Sequence, residues 1–297
     1  MTQSPFTLKK RKKEKKNYPC LLHSNSHTLP LLPFPLPFAY IYLPYLANTS
    51  IANHHLPIEK GNQILVAKMG SLPHVVEDCG GVVQLFSDGT IYRSKDIGFP
   101  MPIINDESVL FKDCLFDKTY NLHLRLYKPT SISLSSPTKK LSIILYLHGG
   151  GFCVGTREWP NCHNCCLKLA SGLNALVVAP DYRLAPEHRL PAAMEDGLIA
   201  LQWLQAQVLS DKGDAWVNGG KVDYDQVFVL GDSSGGNIAH HLAVQIGVGS
   251  TRLAPVRVRG YILLAPFFGG VARTKSEEGP SEQLLNLEIL DRYVNTL

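Results

Sequence analysis

The amino-acid sequence predicts an α/β fold with a mostly parallel sheet and helices on both faces. Four continuous apolar runs are bounded by turn residues, and segments of helical length separate them; the runs lie at 143–147, 175–179, 227–230 and 261–265. A strand that is buried on both faces is apolar throughout, and parallel neighbours need a long crossover connection, which is usually a helix. The runs therefore predict the parallel strands of this sheet.

Two shorter pairs of strands precede the apolar runs. The β-prone runs 82–86 and 90–93 flank Ser87-Asp88-Gly89, which is a turn signal, so they predict a hairpin. The runs 108–116 and 120–128 surround a polar turn, and leucines alternate with polar residues in the second run. Alternation with a period of two residues is typical of a strand with one buried face. This second pair therefore predicts a half-buried antiparallel arrangement.

Helices are predicted at 191–207 and 237–246, where apolar residues recur about one turn apart. Pro191 suits the first turn of a helix, because an N–H at that position would have no partner. The cluster Cys-His-Asn-Cys-Cys at 162–166 is compatible with a metal site or with a helix that buries its thiols. No second pair of ligands lies at a suitable spacing, so the helix is favoured and we expect no metal and no cofactor.

The composition is that of a globular protein, but the charge is unevenly distributed. Residues 1–68 carry nine Lys or Arg against two Asp or Glu, whereas residues 69–297 carry 20 against 23. The larger part of the chain therefore has no basic footprint for nucleic acid. The seven cysteines are an odd number in a chain that is large enough to fold without disulfides. They favour a reducing compartment, and we expect a cytoplasmic protein.

Residues 1–68 also differ from the rest of the chain in their apolar content. A basic run at 9–16 precedes an uncharged stretch at 29–47 that contains five prolines. Each proline costs about 3 kcal/mol in a helix interior, so this stretch is a poor membrane span and a poor secretory signal. We expect no membrane partner, and a disordered leader that need not belong to the working protein. One domain at 69–297 would then begin at Met69.

A nucleophile motif follows the third apolar run. The pentapeptide at 231–235, Gly-Asp-Ser-Ser-Gly, leads directly from that predicted strand into a predicted helix. A serine on such a sharp turn exposes its hydroxyl above the sheet, and flanking glycines are needed because neighbouring turns come close together. We therefore predict Ser233 as a nucleophile. The backbone N–H of Ser234 would donate to the oxyanion that forms when Ser233 attacks a carbonyl carbon.

A glycine-rich loop follows the first apolar run. His148 and three glycines at 149–151 come directly after that predicted strand. Consecutive glycines let the backbone approach a ligand closely and turn its N–H groups toward it. We predict Gly149 and Gly150 as further oxyanion donors. His148 is predicted to orient this loop rather than to act as a base.

Three segments together resemble a known family. They are Leu-Tyr-Leu-His-Gly-Gly-Gly-Phe at 145–152, Asp-Tyr-Arg-Leu-Ala-Pro-Glu-His at 181–188 and Gly-Asp-Ser-Ser-Gly-Gly-Asn at 231–237. They resemble the plant carboxylesterases of the hormone-sensitive-lipase-like α/β-hydrolase group over about residues 69–290. The resemblance implies an α/β-hydrolase fold, a small-molecule ester as substrate and an acyl-serine intermediate on Ser233. Polar residues that match further family positions are expected to form a buried network: Asp181, Arg183, Glu187, His188 and Asp196.

The resemblance also implies an acid and a base on later loops, each after a further strand. Only His240 and His241 follow Ser233, and a rise of 1.5 Å per residue places them about 10 Å along the helix from it. We therefore expect the domain at 69–297 to lack the last two strands and the triad Asp and His. A chain of these 297 residues would be a weak or inactive esterase.

Two other functions remain open at the level of the sequence. The gibberellin receptors resemble the same family and keep the serine while they lose the base, so the chain is also compatible with a small-molecule receptor of that type. A truncated product without activity of its own is the third possibility. The sequence gives no indication of the oligomeric state.

Overall fold

The computed structural model describes residues 72–94, 101–130, 140–270, 272–273, 275, 277–279 and 287–296. Nine strands and five helices follow one another within these residues. The leader predicted for residues 1–68 and the start predicted at Met69 lie outside the described residues.

A small antiparallel sheet comes first in the chain. Its strands are β1 (Val75–Cys79), β2 (Val83–Phe86) and β3 (Ile91–Arg93), and β2 lies in the middle. The hairpin predicted from the turn at 87–89 is confirmed, because β2 and β3 pair antiparallel across it. The pairing of β1 with β2 was not predicted from the sequence.

The main sheet has six strands in the order β4-β5-β7-β6-β8-β9. The strands are β4 (Val109–Asp117), β5 (Leu122–Pro129), β6 (Leu141–Leu147), β7 (Ala175–Pro180), β8 (Val222–Asp232) and β9 (Val258–Leu264). The pairs β6/β7, β6/β8 and β8/β9 are parallel, whereas β4/β5 and β5/β7 are antiparallel. The prediction of a mostly parallel sheet is therefore confirmed, and so is the antiparallel pair at its start.

Helices cover both faces of this sheet, as predicted. They are α1 (Pro160–Leu173), α2 (Ala192–Leu209), α3 (Ala215–Asn218), α4 (Ser234–Ile246) and α5 (Leu287–Thr296). Alternate residues of β6 belong to different buried clusters: Leu145 packs with residues of α2 and α4, and Tyr146 packs with residues of α1. Successive side chains of a strand point to opposite faces, so α2 and α4 lie on one face and α1 on the other.

The helix favoured for residues 162–166 is confirmed as part of α1. Cys162 and Cys166 are buried against the sheet, and Cys165 is partly buried. The six cysteines among the described residues are free thiols. The same residues contain no group of three or more side chains suited to hold a metal ion.

Strand β9 is the last strand of the sheet in the part of the chain that the structure describes. It pairs with β8 on one side, and Ile262 on it is 43% exposed. The expectation of two further strands beyond it stays a prediction. Among the described helices, none is both long enough and apolar enough to cross a membrane.

Candidate active site

Ser233 lies at the sharp turn between β8 and α4. Its backbone has φ 51° and ψ −115°, a conformation that costs a residue with a side chain about 1–3 kcal/mol. Three backbone hydrogen bonds hold it. The Ser233 N–H donates to Leu264 O at 2.9 Å, and Ser233 O accepts from the N–H of Phe267 at 2.9 Å and of Asn237 at 3.1 Å. The end of β9 therefore stabilises the turn on which Ser233 lies.

The glycines beside Ser233 are required by close packing of the backbone. A Cβ atom on Gly231 would overlap the carbonyl oxygen of Gly235. A Cβ atom on Gly235 would in turn overlap the carbonyl oxygen of Leu147 at the end of β6. The close packing predicted for the two flanking glycines is therefore present.

The glycine-rich loop reaches the turn that carries Ser233. A Cβ atom on Gly149 would lie 3.2 Å from Ser233 Cβ and 3.2 Å from Asp232 O. Gly150 has φ 128°, which favours glycine, and its carbonyl oxygen accepts from Cys153 N at 3.1 Å and Val154 N at 3.0 Å. Among the described residues, no acceptor is bonded to the N–H of Gly149 or Gly150. The N–H of Gly149 is therefore an unused donor beside Ser233, and the N–H of Gly150 is an unused donor next to it along the loop.

The third predicted donor, Ser234, is the first residue of α4 and is fully buried. The N–H groups of the first turn of a helix have no partner within the helix, and the helix dipole favours negative charge near them. The structure thus brings Ser233, Ser234 and Gly149 together, with Gly150 next along the loop. Their catalytic roles stay predictions.

His148 is buried against the same loop. Its Nδ1 lies 2.8 Å from Gly149 O, and since a carbonyl oxygen only accepts, we assign the proton to Nδ1. Burial lowers the pKa of His148, so the ring is neutral at pH 7. Nε2 has no partner among the described residues. These contacts favour the predicted role of His148 in orienting the loop.

Tyr182 was missed as a residue of this site. Its hydroxyl donates to His148 O at 2.8 Å and lies 3.3 Å from Ser234 Oγ. Its ring stacks on His148, with the centroids 4.2 Å apart and the planes at 15°. No local pattern in the sequence marks this role, because the two partners of Tyr182 lie 34 and 52 residues away in the chain.

The polar network predicted around residue 181–196 is only partly buried. Arg183 donates from its backbone N–H to Asp196 Oδ2 at 2.7 Å and from Nε to Oδ1 at 2.9 Å, and the Asp196 carboxylate is fully buried. Glu187 pairs with Arg93 at the surface, and His188 packs edge-on against Tyr120. The prediction is wrong for Glu187 and His188, which are exposed because their segment leaves the sheet before α2 begins.

No base contacts Ser233 in the described residues. His240 and His241 are exposed on α4, and the ring of His240 packs against Phe268 at a centroid distance of 5.1 Å. Within the described part of the chain, no side chain is hydrogen-bonded to the Ser233 hydroxyl. A cavity of about 170 Å³ lies elsewhere, between β1, β2 and α5, and Ser233 does not line it.

The chain is similar to known esterases and to solved structures of the same fold. A family model described as an alpha/beta hydrolase fold matches residues 144–296. Probable carboxylesterase 8 of Arabidopsis thaliana is 39% identical over 199 residues, which are 66% of this chain and 57% of that protein. Carboxylesterase 20 of Arabidopsis thaliana is 42% identical over 170 residues, which are 56% of this chain and 50% of that protein.

Among solved structures, that of vibralactone cyclase superimposes with a TM-score of 0.54 at 21% identity. The superposition covers 65% of this chain and 56% of the cyclase. At this level of identity, the similarity concerns the fold alone. The chain spans little more than half the length of the curated relatives it matches, 57% for the first of the two carboxylesterases.

Proposed function

This chain belongs to the α/β-hydrolase fold family, and from that premise we propose that it is a carboxylic-ester hydrolase with Ser233 as nucleophile. One observation carries the proposal. The strained turn of Ser233 lies in contact with a loop whose glycine N–H groups have no protein acceptor among the described residues. Donors that are fixed beside a serine hydroxyl stabilise the anion that forms when this hydroxyl attacks a carbonyl carbon.

The reaction would proceed through an acyl-serine intermediate. Ser233 Oγ bonds to the carbonyl carbon of the ester, and the negative charge moves to the carbonyl oxygen, where Gly149, Gly150 and Ser234 donate. The C–O bond to the alcohol then breaks, and the alcohol takes up the proton lost by Ser233. Water releases the acid in a second step of the same form, and no cofactor takes part.

A chain of these 297 residues would carry out this reaction slowly. A serine hydroxyl is a poor nucleophile unless a base removes its proton, and no described histidine contacts Ser233. Removal of triad members from a serine hydrolase lowers turnover by about 10⁴–10⁶-fold, while the oxyanion donors preserve a smaller acceleration. We therefore propose a Ser233-dependent activity that is far below the usual range.

We propose that the substrate is a small-molecule ester. We also propose that the protein works in a reducing compartment. The relatives are named carboxylesterases, the six described cysteines are free thiols, and the segment 69–297 has no excess of basic residues. These observations support a cytoplasmic enzyme without a nucleic-acid partner. No observation on the described residues favours the receptor alternative.

Turnover of p-nitrophenyl acetate by the 297-residue chain tests the proposal. Enzymes typically turn over about 10 times per second, so a loss of about 10⁴-fold or more predicts a rate on the order of 10⁻³ s⁻¹ or less. Ser233→Ala should remove the part of this rate that depends on Ser233. Ser171→Ala changes an exposed serine on α1 and serves as the control that should keep the rate. Equal rates for Ser233→Ala and the unchanged chain would exclude Ser233 as the nucleophile. A rate of about 10 s⁻¹ would contradict the proposal that this chain has no base to activate Ser233.

A further inference from the structure

The hydroxyl of Tyr182 joins two segments that are far apart in the chain. It donates to His148 O at 2.8 Å, and it lies 3.3 Å from Ser234 Oγ. A carbonyl oxygen can only accept, so the single proton of the phenol points to His148, and Ser234 donates its own proton to Tyr182. The result is a directed chain of hydrogen bonds from the start of α4 to the start of the glycine-rich loop.

The carbonyl group of His148 belongs to the same peptide unit as the N–H of Gly149. A hydrogen bond accepted at the oxygen of a peptide polarises the whole unit, so its N–H becomes a stronger donor. The bond from Tyr182 therefore acts on Gly149, whose position lies in contact with Ser233. The other partner of the Tyr182 hydroxyl is Ser234, whose backbone N–H is another of the predicted oxyanion donors.

Neighbouring residues hold Tyr182 in this place. Asp181 accepts from the N–H of Arg157 at 2.7 Å, and the N–H of Ala185 donates to Phe152 O at 2.9 Å, so the loop is bonded on both sides of Tyr182. The ring is buried and stacked on His148. Burial raises the pKa of the Tyr182 hydroxyl, so this hydroxyl keeps its proton at neutral pH.

We propose that Tyr182 is a positioning residue of the oxyanion site: its hydroxyl fixes and polarises the His148–Gly149 peptide and ties it to Ser234. The inference rests on the proposed function, because the donors matter only if Ser233 forms an oxyanion. Tyr182 itself touches no reacting atom. It acts through Gly149 and Ser234.

Hydrogen exchange at backbone amides tests the bridge without any catalytic readout. Tyr182→Phe removes only the hydroxyl, and a lost hydrogen bond corresponds to about 3- to 10-fold faster exchange. We expect this increase in peptides covering both 147–152 and 233–237. Tyr127→Phe is the matched control, since Tyr127 is also buried but bonds to His163 Nδ1 at 3.0 Å on the other face of the sheet. Unchanged exchange at 147–152 in folded Tyr182→Phe would overturn the proposal.

A second variant decides the matter if Tyr182→Phe does not fold. Ser234→Ala keeps the bond from Tyr182 to His148 and removes the bond to α4. We then expect faster exchange at 233–237 and wild-type exchange at 147–152. Unchanged exchange at 233–237 in Ser234→Ala would show that Tyr182 does not bridge the loop to α4.

Covalent labelling of Ser233 by a fluorophosphonate separates this proposal from the proposed function. In Tyr182→Phe the first-order labelling step should slow about 3- to 10-fold while the concentration for half-maximal rate stays the same, because the hydroxyl acts on the transition state and not on probe binding. If Ser233 is labelled in both chains and the rate in Tyr182→Phe equals that in the unchanged chain, the positioning role is contradicted. If Ser233 is not labelled in the unchanged chain, the proposed function fails, and exchange at 147–152 still decides whether the bridge exists.

Discussion

The carbonyl oxygen of Ser233 accepts a hydrogen bond of 2.9 Å from the backbone N–H of Phe267. Phe267 follows β9 at a distance of three residues, so the loop after this strand holds the turn after β8. The Asn237 side chain reinforces the contact, because its Nδ2 donates to Phe267 O at 2.7 Å. The strained backbone of Ser233 is therefore maintained by the neighbouring strand and by α4 together.

Gly235 is the position at which a methyl group should be least tolerated. Its Cβ atom would overlap the carbonyl oxygens of Leu147 and His148, which are backbone atoms that cannot move independently. Gly235→Ala should lower the free energy of unfolding by about 3 kcal/mol or more in urea denaturation, the upper end of overpacking costs. Gly172→Ala is the control, because nothing lies within 4 Å of its Cβ position on α1. A helical Gly→Ala change should raise stability by about 0.5–1 kcal/mol. Equal stability of the two variants would contradict the close approach of α4 to the glycine-rich loop.

Asp196 should contribute more to stability than its neighbour Glu195. Both carboxylates pair with Arg183, but Asp196 is fully buried while the Glu195 side chain is 59% exposed. Asp196→Ala leaves the Arg183 charge without its buried partner, which should cost about 3–5 kcal/mol. Glu195→Ala should cost less than about 1 kcal/mol, because exposed ion pairs are weak. Urea denaturation of both variants checks this, and similar losses would show that burial of the Asp196 pair does not matter.

Asp113 should make stability dependent on pH in acid. Hydrogen bonds from Arg125, with a smaller contribution from Arg157, lower the pKa of Asp113 from 3.8 to about 2. A lowered folded-state pKa stabilises the protein above the unfolded value, and this contribution is lost as the pH falls from about 4 to about 2. Because Asp113 is one-third exposed, solvent screening reduces the contribution to about 1 kcal/mol. Asp113→Asn should therefore be less stable than the unchanged chain at pH 6, and the difference should disappear near pH 2. A constant difference across this range would contradict the ion pair.

The pattern of apolar runs was sufficient to predict the parallel strands of the main sheet, because its central strands β6 and β7 are buried on both faces and leave little choice of residue. The four runs became β6, β7, β8 and β9. The pentapeptide at 231–235 was correctly predicted to form a turn between a strand and a helix. Its glycines were predictable because backbone atoms of Gly235 and Leu147 leave no room for a Cβ atom at positions 231 and 235.

Features that depend on tertiary packing were not predictable in the same way. Strand β1 contains two acids in five residues and shows no alternation, so its pairing with β2 gives no signal in the sequence. The Tyr182 bridge joins segments that are 34 and 52 residues away in the chain, and no local pattern marks such a contact. The surface position of Glu187 and His188 was missed because a motif specifies residue types and not their exposure.

Mapping a fluorophosphonate adduct by mass spectrometry tests the central claim most directly. The reaction forms a bond between Ser233 Oγ and phosphorus, releases fluoride and gives the serine proton to solvent, while the phosphoryl oxygen occupies the site of the oxyanion. We expect a single adduct in the folded chain, on the peptide that contains Ser233, and its loss when the chain is unfolded in urea before labelling. An adduct spread over several serines, or no adduct on Ser233 while exposed serines react, would contradict the assignment of Ser233 as the nucleophile.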